Sequence, residues 1–246
     1  MPHLDDPEVA AALEILTAMH AEPSDRAGEG LRERKKRRTR QQISDVATAM
    51  FLIHGFDNVT VSKVAAACEV SEQTVFNYFP TKEAMFLDQA DATTASLLAA
   101  VRDRRDLSLV ACVVDAQPDD LTSDVPTVAD NASRLRFSRL FVRAVEASPT
   151  LSATRQAGFF RLVDDLCVAL AARIDAAPDD PQVQLTAVVV AGLAGVQQRS
   201  TYRHIATVTS LAELHDQVRA DVLRAARIAE PTLAAFDADP ATHEEF

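Results

Sequence analysis

Two helix starts lie close together in residues 60–80, TVSKVAAACEVSEQTVFNYFP. Thr60 and Ser71 are residue types that cap helix N-termini, because their hydroxyls accept hydrogen bonds from the free N–H groups of the first turn. Pro80 ends the second helix, since the residue before a proline is disfavoured in helical geometry. The segment therefore predicts two short helices that cross steeply, joined by a turn of about three residues at 69–71.

A longer helix precedes this pair. Residues 39–56 contain apolar side chains at the spacing of one helical face, namely Ile43, Val46, Ala47, Met50 and Phe51. We expect Thr39 and Gln42 to form a capping box at its start, and Gly55 to end it in a left-handed conformation. Three helices in this order predict a helix-turn-helix domain.

The rest of the chain is helical in character. Glycine occurs only 6 times in 246 residues, fewer than the turns of a β-sandwich or barrel require. One helix is expected from Thr81 to about Asp103, and further long segments are separated by Pro149, Pro178 and Pro181. We therefore predict an all-α fold of nine or ten helices, with a small N-terminal three-helix domain and a larger C-terminal helical domain.

The distribution of charge along the sequence divides the chain into further segments. Residues 1–30 carry seven acids and one arginine (−6), residues 31–40 (LRERKKRRTR) carry seven bases and one acid (+6), and the total is −11. We predict an acidic, partly helical extension at 1–30, a helix-turn-helix domain with a basic arm at 31–87, a helical domain at 88–230 and a C-terminal tail at 231–246.

The extension contains one amphipathic pattern, formed by Val9, Leu13, Leu16 and His20. If its acids shield the basic arm, the extension weakens binding to any polyanion. A floppy acidic tail without that effect is the alternative.

In the helix-turn-helix domain, a segment of basic residues is followed by a helix with short polar side chains. The bases of residues 31–40 suit a phosphate backbone, although a solvated charge run or a targeting tract has the same composition. The second short helix presents Ser71, Gln73, Thr74 and Asn77 outward, and such side chains hydrogen-bond to base edges in a major groove. We expect this domain to bind double-stranded DNA. Because one short helix reads few base pairs, we also expect a homodimer on a palindromic site.

The run TR..I..VA..MF...GF..VTVSKVAAACEVSEQTVFNYFPTKEAMF resembles the DNA-binding domain of the TetR family of bacterial transcription repressors. The resemblance is close over residues 39–87, and over 88–246 it rests on helical character, length and order. It implies a ligand-responsive regulator, a repressor that binds a palindromic operator as a homodimer and is released by an unidentified small-molecule effector. It also implies a bacterial cytoplasmic protein that associates with the nucleoid when bound to DNA.

The resemblance assigns positions at the DNA. Phosphate contacts are implied for Arg40, Thr60, Ser62, Tyr78 and Lys82. Contacts to bases or nearby sugar-phosphate are implied for Ser71, Gln73, Thr74 and Asn77. Arg37 and Arg38 of the basic arm complete the predicted DNA-binding set.

Two residues depart from the family pattern. Glu69 holds a turn position usually occupied by glycine, where left-handed geometry costs an L-residue about 1–2 kcal/mol. Phe76 replaces a common tyrosine, and we expect it to pack in the core, with contact to a thymine methyl as the alternative. These departures favour a second interpretation, in which a ligand-binding or protein-interaction module keeps the fold but has lost sequence-specific DNA binding.

Two predicted helices of the larger domain, at about 154–175 and 182–202, are apolar on more than one side. Such helices must be buried, either in the subunit's own core or against a partner. The resemblance assigns them to a four-helix dimer interface and implies a small-molecule pocket. Candidates for the pocket lining, each also interpretable as core, are Cys112, Arg136, Phe137, Phe141, Gln156, Phe159, Phe160 and Cys167.

Other function classes lack their motifs. The three cysteines include no CxxC pair, so neither a disulfide framework nor a zinc site is predicted. No glycine-rich phosphate loop occurs, and no histidine has a matched nucleophile and carboxylate, so we expect no enzyme, cofactor or metal. The longest apolar run, 185–196, is short of the roughly 20 residues of a membrane span, and the N-terminus lacks a signal peptide's basic start. We expect no membrane partner.

Overall fold

The structure is a computed structural model that describes residues 7–19, 30–116 and 131–237. Within these ranges it contains eleven α-helices and no strand, which confirms the predicted all-α class. They are α1 (Pro7–Met19), α2 (Leu31–His54), α3 (Val61–Ala67), α4 (Glu72–Tyr78), α5 (Lys82–Phe86), α6 (Asp88–Asp103), α7 (Leu109–Asp115), α8 (Asn131–Ala147), α9 (Pro149–Ile174), α10 (Pro181–His204) and α11 (Leu211–Asp237), with a 3₁₀ turn at Phe56–Asn58.

The described residues form two compact units. Unit 1 contains those within Met1–Gln89 and Ser123–Ser152, and unit 2 contains those within Ala90–Thr122 and Ala153–Phe246. Unit 1 is therefore assembled from two separate stretches of chain. None of the helices in the described ranges is both long and apolar enough to cross a lipid bilayer.

Helix α2 begins earlier than we predicted. Gly30 is its N-cap, and the Thr39 hydroxyl donates to the Lys35 carbonyl (3.0 Å) inside the helix, so the predicted capping box at Thr39 and Gln42 is wrong. Arginine and lysine are good helix formers, which explains why the basic arm is helical. Gly55 ends α2 as predicted, with a φ of 85° that glycine adopts without steric cost.

Helices α3 and α4 have the predicted caps. The Thr60 hydroxyl accepts from the Lys63 N–H (3.3 Å), and the Ser71 hydroxyl accepts from the Thr74 N–H (3.1 Å). Helix α4 ends at Tyr78, and its C-cap residue Phe79 is extended (φ −135°, ψ 111°), as expected for the residue before Pro80.

The single helix expected over 81–103 is instead two helices, α5 and α6. Leu87 interrupts them with a φ of −94° and a ψ of 8°. Met85, Phe86 and Leu87 are all buried at this break. The helical periodicity of the sequence did not reveal it.

An aromatic cluster forms the core of unit 1. The Phe86 ring lies 5.7 Å from Phe51 and 6.0 Å from Phe56, and it stacks on Phe141 of α8 at 4.6 Å with an interplanar angle of 21°. Helix α8 thus closes the core of the helix-turn-helix domain. Helix α1 packs on α2 and α8 with Val9 and Leu16 buried, while His20 of the predicted apolar face lies outside the described residues.

Helices α10 and α11 pack against each other and against α7 in unit 2. Their contact contains the buried carboxylate of Asp221, which accepts from Ser200 Oγ (2.9 Å) and His204 Nε2 (2.8 Å) and pairs with Arg203 and Arg224. The hydrogen bond from His204 lowers the pKa of Asp221 far below its ordinary value; burial opposes this shift, and Ser200 and Arg203 add to it.

Two other bounds differ from those predicted. Helix α9 begins at Pro149 rather than near residue 154. Proline suits the first position of a helix, because the N–H that it lacks would have no partner in the helix there. Helix α11 continues through Pro231 to Asp237 with Leu233 and Phe236 buried, so residues 231–237 are helical where we expected a tail.

Candidate nucleic-acid interface

The turn between α3 and α4 has left-handed geometry at Glu69, the position where the family pattern usually has glycine. Glu69 has a φ of 57°, its N–H donates to Ala66 O (3.2 Å), and the Val70 N–H donates to Ala65 O (3.0 Å). This pair of bonds is a Schellman motif, which satisfies the last carbonyls of α3. The turn therefore forms without glycine, at the conformational cost of an L-residue.

Helix α4 has one buried and one exposed side. Val75 is fully buried, whereas Ser71, Gln73 and Asn77 are exposed and Thr74 is partly buried. Gln73 Nε2 donates to Asn77 Oδ1 (3.2 Å), one turn along the helix. Each primary amide has two donors and an acceptor with two lone pairs, so this bond leaves hydrogen-bonding capacity on both side chains.

Phe76 does not pack in the core. Its side chain is 44% exposed, so the expected core position is wrong. As the residue three positions after Gln73, it lies beside the amide pair on the helix surface. Burial of Phe76 was expected from its apolar character, but Val75 and Phe79 take the buried positions instead.

The polar residues at the starts of α3 and α4 already have partners within the fold. Ser71 Oγ also lies 2.8 Å from Thr74 Oγ1, so these two hydroxyls are linked to each other. Ser62 is exposed, and its neighbour Lys63 donates from Nζ to Asn58 O (3.3 Å). The capping roles of Thr60 and Ser71 therefore hold whether or not DNA is present.

Arg40 is held by contacts inside unit 1. Its Nη1 donates to the Tyr78 carbonyl (2.5 Å), its Nη2 pairs with Asp88, and its guanidinium lies 4.2 Å from the centre of the Phe79 ring. The side chain thus ties α2 to the end of α4 and the start of α6. No local pattern in the sequence indicates this role, because Asp88 is 48 positions away.

Lys82 also rests against the aromatic core. Its Nζ lies 4.2 Å from the centre of the Phe56 ring and 5.6 Å from that of Phe51. Burial lowers the pKa of Lys82, and the nearby carboxylates of Asp57 and Glu83 oppose the shift. The charge is therefore placed by a cation–π contact at the start of α5.

An open cleft of about 400 Å³ joins the basic part of α2 to the end of α4. It is lined by Glu33, Lys36, Arg37, Arg40, Asn77 and Tyr78. Four of these were predicted at the DNA, whereas Glu33 and Lys36 were not. The spacing 33, 36, 37 and 40 follows one helical face, and it would have identified both residues had the helix been started at residue 31.

The predicted ligand residues occupy different surroundings. In unit 1, Arg136 is exposed, Phe137 is buried and Phe141 stacks on Phe86. In unit 2, Cys112 is fully buried, and Gln156, Phe159 and Phe160 are exposed, with the two rings in an edge contact at 5.9 Å. Burial raises the pKa of the partly buried Cys167 thiol, and Asp164 adds to the shift. Their role in a pocket stays a prediction.

Among the described residues, no group of His, Cys, Asp and Glu side chains is arranged to hold a metal ion.

Two short capped helices joined by a tight turn, with a polar outer face and a basic helix in the same unit, define a helix-turn-helix DNA-binding domain. Residues 43–88 match the family model described as "Bacterial regulatory proteins, tetR family". Over these residues the chain is similar to the members of that family.

Two curated relatives are similar in this part of the chain. The HTH-type transcriptional regulator TcmR of Streptomyces glaucescens is 42% identical over 77 residues, which are 31% of this chain and 34% of TcmR. A protein of Mycobacterium tuberculosis named as a mycofactocin biosynthesis transcriptional regulator, MftR, is 38% identical over 52 residues, which are 21% of this chain and 26% of MftR. The similarity thus spans about a third or less of either relative.

A solved structure from Mesorhizobium loti, named as a TetR-family transcriptional regulator, aligns with 79% of this chain and 98% of its own, at 17% identity and a TM-score of 0.38.

Proposed function

We propose that the chain is a transcriptional repressor that binds a palindromic operator as a homodimer through residues 31–87. In this proposal a small-molecule effector bound in residues 88–230 releases the operator, and the protein acts in the bacterial cytoplasm and at the nucleoid, without enzymatic activity. The observation that carries the DNA-binding part is the exposed face of α4, which presents Gln73, Phe76 and Asn77 while Val75 anchors the helix.

The exposed face of α4 has the chemistry of direct base recognition. An amide side chain can bind both N6 and N7 of adenine, and an apolar side chain can contact the methyl group of thymine. Gln73 and Asn77 supply the amides, and Phe76 supplies the apolar surface. We infer a preference for A·T pairs at the centre of each half-site.

Phosphate contacts come from the basic part of α2. Arg37 and Arg38 lie on this helix, and Lys36 joins Arg37 in the cleft that reaches Asn77. Each neutralised phosphate releases condensed counterions, so binding weakens with salt. Since Arg40 and Lys82 are already engaged inside unit 1, we infer that they position Tyr78 and α5 and contact phosphate only with what remains exposed.

Exposed apolar side chains on α9 and α10 support the homodimer. Phe160 and Val168 on α9 are 64% and 62% exposed, and Leu185 and Val188 on α10 are 56% and 49% exposed. Apolar residues clustered on exposed helix faces mark interaction sites, and a two-fold partner presents the same faces in return. A partner would remove these four side chains from water.

The proposal is tested by selecting bound sequences from random DNA with the wild type, a Gln73→Ala/Asn77→Ala double variant and Arg38→Ala. We expect the wild type to enrich a palindrome and the double variant to lose that preference while still binding DNA. Arg38→Ala serves as the matched control, because loss of a phosphate contact keeps the selected sequence and reduces the slope of log K against log salt by about 1. Failure of the wild type to enrich any sequence would support the interaction-module interpretation.

A further inference from the structure

Helix α8 carries a buried arginine in its first turn. Arg134 is only 5% exposed, and its Nε and Nη2 have no hydrogen-bond partner. The hydrogen bond from Ser138 Oγ reaches the Arg134 backbone carbonyl rather than the guanidinium. A guanidinium stays protonated in proteins, so a positive charge is buried here with at least two N–H donors unused.

The surroundings of Arg134 add to the positive potential. The N-terminal end of a helix carries a partial positive charge, and the first turn of α8 contains no acidic residue to offset it. A cation at this end of a helix is unfavourable even at the surface, and burial removes the screening by water. Two independent features of α8 therefore favour an anion at the same place.

No carboxylate that the structure describes in unit 1 accepts a hydrogen bond from Nε or Nη2 of Arg134. Helix α8 packs against α1 and α2, and Asp45 of α2 is the one buried carboxylate among the described residues of this unit. Asp45 accepts from Gln41 Nε2 (2.9 Å) on its own helix, whereas Nε and Nη2 of Arg134 have no hydrogen-bond partner. A buried guanidinium without a counter-ion is strongly unfavourable, so an anion bound beside Arg134 would stabilise the folded protein.

We infer that Arg134 is the anchor of a binding site for a small molecule that carries a carboxylate or a phosphate group. The planar guanidinium matches two oxygens of either group with parallel hydrogen bonds, which gives the site its chemical selectivity. Nε and Nη2 form one edge of the fork, and both are unused.

The position of the site has a consequence for DNA binding, and this consequence rests on the proposed function. Phe141, two turns after Arg134 on α8, stacks on Phe86 in the aromatic core of the helix-turn-helix unit. An anion that shifts α8 or holds it in place therefore acts directly on the packing of that unit. A ligand alters DNA affinity only if it binds the two states of the protein differently.

The site is tested by thermal unfolding of the full-length wild type and of Arg134→Met, Arg134→Lys and Arg136→Met. Acetate and inorganic phosphate are titrated separately into chloride buffer at constant pH and ionic strength. Arg136→Met is the matched control, because it removes the same charge from an exposed position two residues along the same helix.

We expect at least one of the two anions to raise the wild-type Tm saturably, by about 3–6 °C at ten times the half-saturating concentration. Arg136→Met should respond equally. Arg134→Met should have a Tm in chloride equal to or above that of the wild type and no saturable response. Arg134→Lys should respond with at least a fivefold weaker half-saturation, because an ammonium cannot bind two oxygens in the same way. The anion that raises the Tm shows whether the ligand carries a carboxylate or a phosphate group.

Three results would overturn the inference. The first is a wild type that responds to neither anion at 100 mM. The second is an Arg134→Met protein that responds like the wild type. The third is an Arg134→Met protein that unfolds in chloride at a clearly lower temperature or does not fold, since the guanidinium would then have a counter-ion within the fold. Because these measurements contain no DNA, their outcome is independent of whether the operator proposal holds.

Discussion

In the described part of the chain, two residues with side chains have left-handed backbone geometry, and both lie at the ends of helices. Glu69 follows α3 with a φ of 57°, and Asp175 follows α9 with a φ of 55°. In each case the N–H of the next residue bonds back to a helix carbonyl, Val70 to Ala65 and Ala176 to Ala171, both at 3.0 Å. At these two helix ends the left-handed geometry therefore forms without glycine, at the conformational cost of an L-residue.

Replacement of Glu69 by glycine should stabilise the protein. Glycine avoids the left-handed cost of about 1–2 kcal/mol but loses more backbone freedom on folding, so we expect the free energy of unfolding to rise by about 0.5–1 kcal/mol. The change is measured by urea unfolding of wild type, Glu69→Gly and Glu69→Ala. Alanine keeps the left-handed strain at position 69 and should not raise the free energy of unfolding. An equal gain from both variants would show that the Glu69 charge, and not its backbone, is responsible.

At the scale of the helix, polar side chains link α10 and α11. Asp221 of α11 contacts Ser200, Arg203 and His204, which lie along the last turns of α10. Because the carboxylate is buried and bound to several donors, its ionised form is favoured in the folded protein. This carboxylate makes the packing of the two helices sensitive to acid.

We predict that Asp221→Asn lowers the free energy of unfolding at pH 7 by about 2 kcal/mol, the typical value for a hydrogen bond to a charged group. The pKa of Asp221 is depressed in the folded state, so its stabilisation is complete above the ordinary carboxyl pKa of about 3.9 and is lost as pH falls below that value. The difference between wild type and variant should therefore shrink below about pH 4. Urea midpoints at several pH values provide the measurement.

The control for this prediction is Asp216→Asn, an exposed position on the same helix, which should leave stability nearly unchanged. A gap between wild type and Asp221→Asn that stays constant down to pH 3 would contradict the assignment to the carboxylate.

Local signals predicted the helices whose ends are set by single residues. Thr60, Ser71 and Gly55 each act through hydrogen bonds or dihedral angles within a few positions, and all three function as expected. No local signal indicated the break at Leu87. The anchoring of Arg40 was not predictable, because it depends on Asp88, which the fold brings from 48 positions away. The same reason applies to Arg134, whose burial is a property of the packed unit.

At the scale of the whole molecule, unit 2 presents its apolar helix faces to the outside. Leu185 and Val188 lie on the same face of α10 as Gly192, and a side chain built at Gly192 would meet no atom within 4 Å. This face therefore has room for another helix at close distance. In the proposed homodimer, that helix belongs to the second subunit.

We predict that Val188→Asp converts the dimer to a monomer at micromolar concentration, since it would bury an unpaired charge in the interface. Sedimentation equilibrium provides the measurement, and operator affinity should fall with dimerisation. Leu31→Asp makes the same apolar-to-acid change at an exposed position on α2 and should stay dimeric. If the Val188→Asp protein sediments as a dimer, the interface lies on another surface of the molecule.

The stacking of Phe141 on Phe86 also bears on how the chain acquires its structure. The segment that matches the family model, residues 43–88, ends before the helix that covers its aromatic core. A fragment cut at residue 89 would leave one face of Phe86 in water, and closing the core requires a contact across 55 positions of chain. Such contacts form late, because the intervening chain must first lose its freedom. During synthesis, the unit that meets DNA can therefore be completed only after α8, at residue 147 of 246, has left the ribosome.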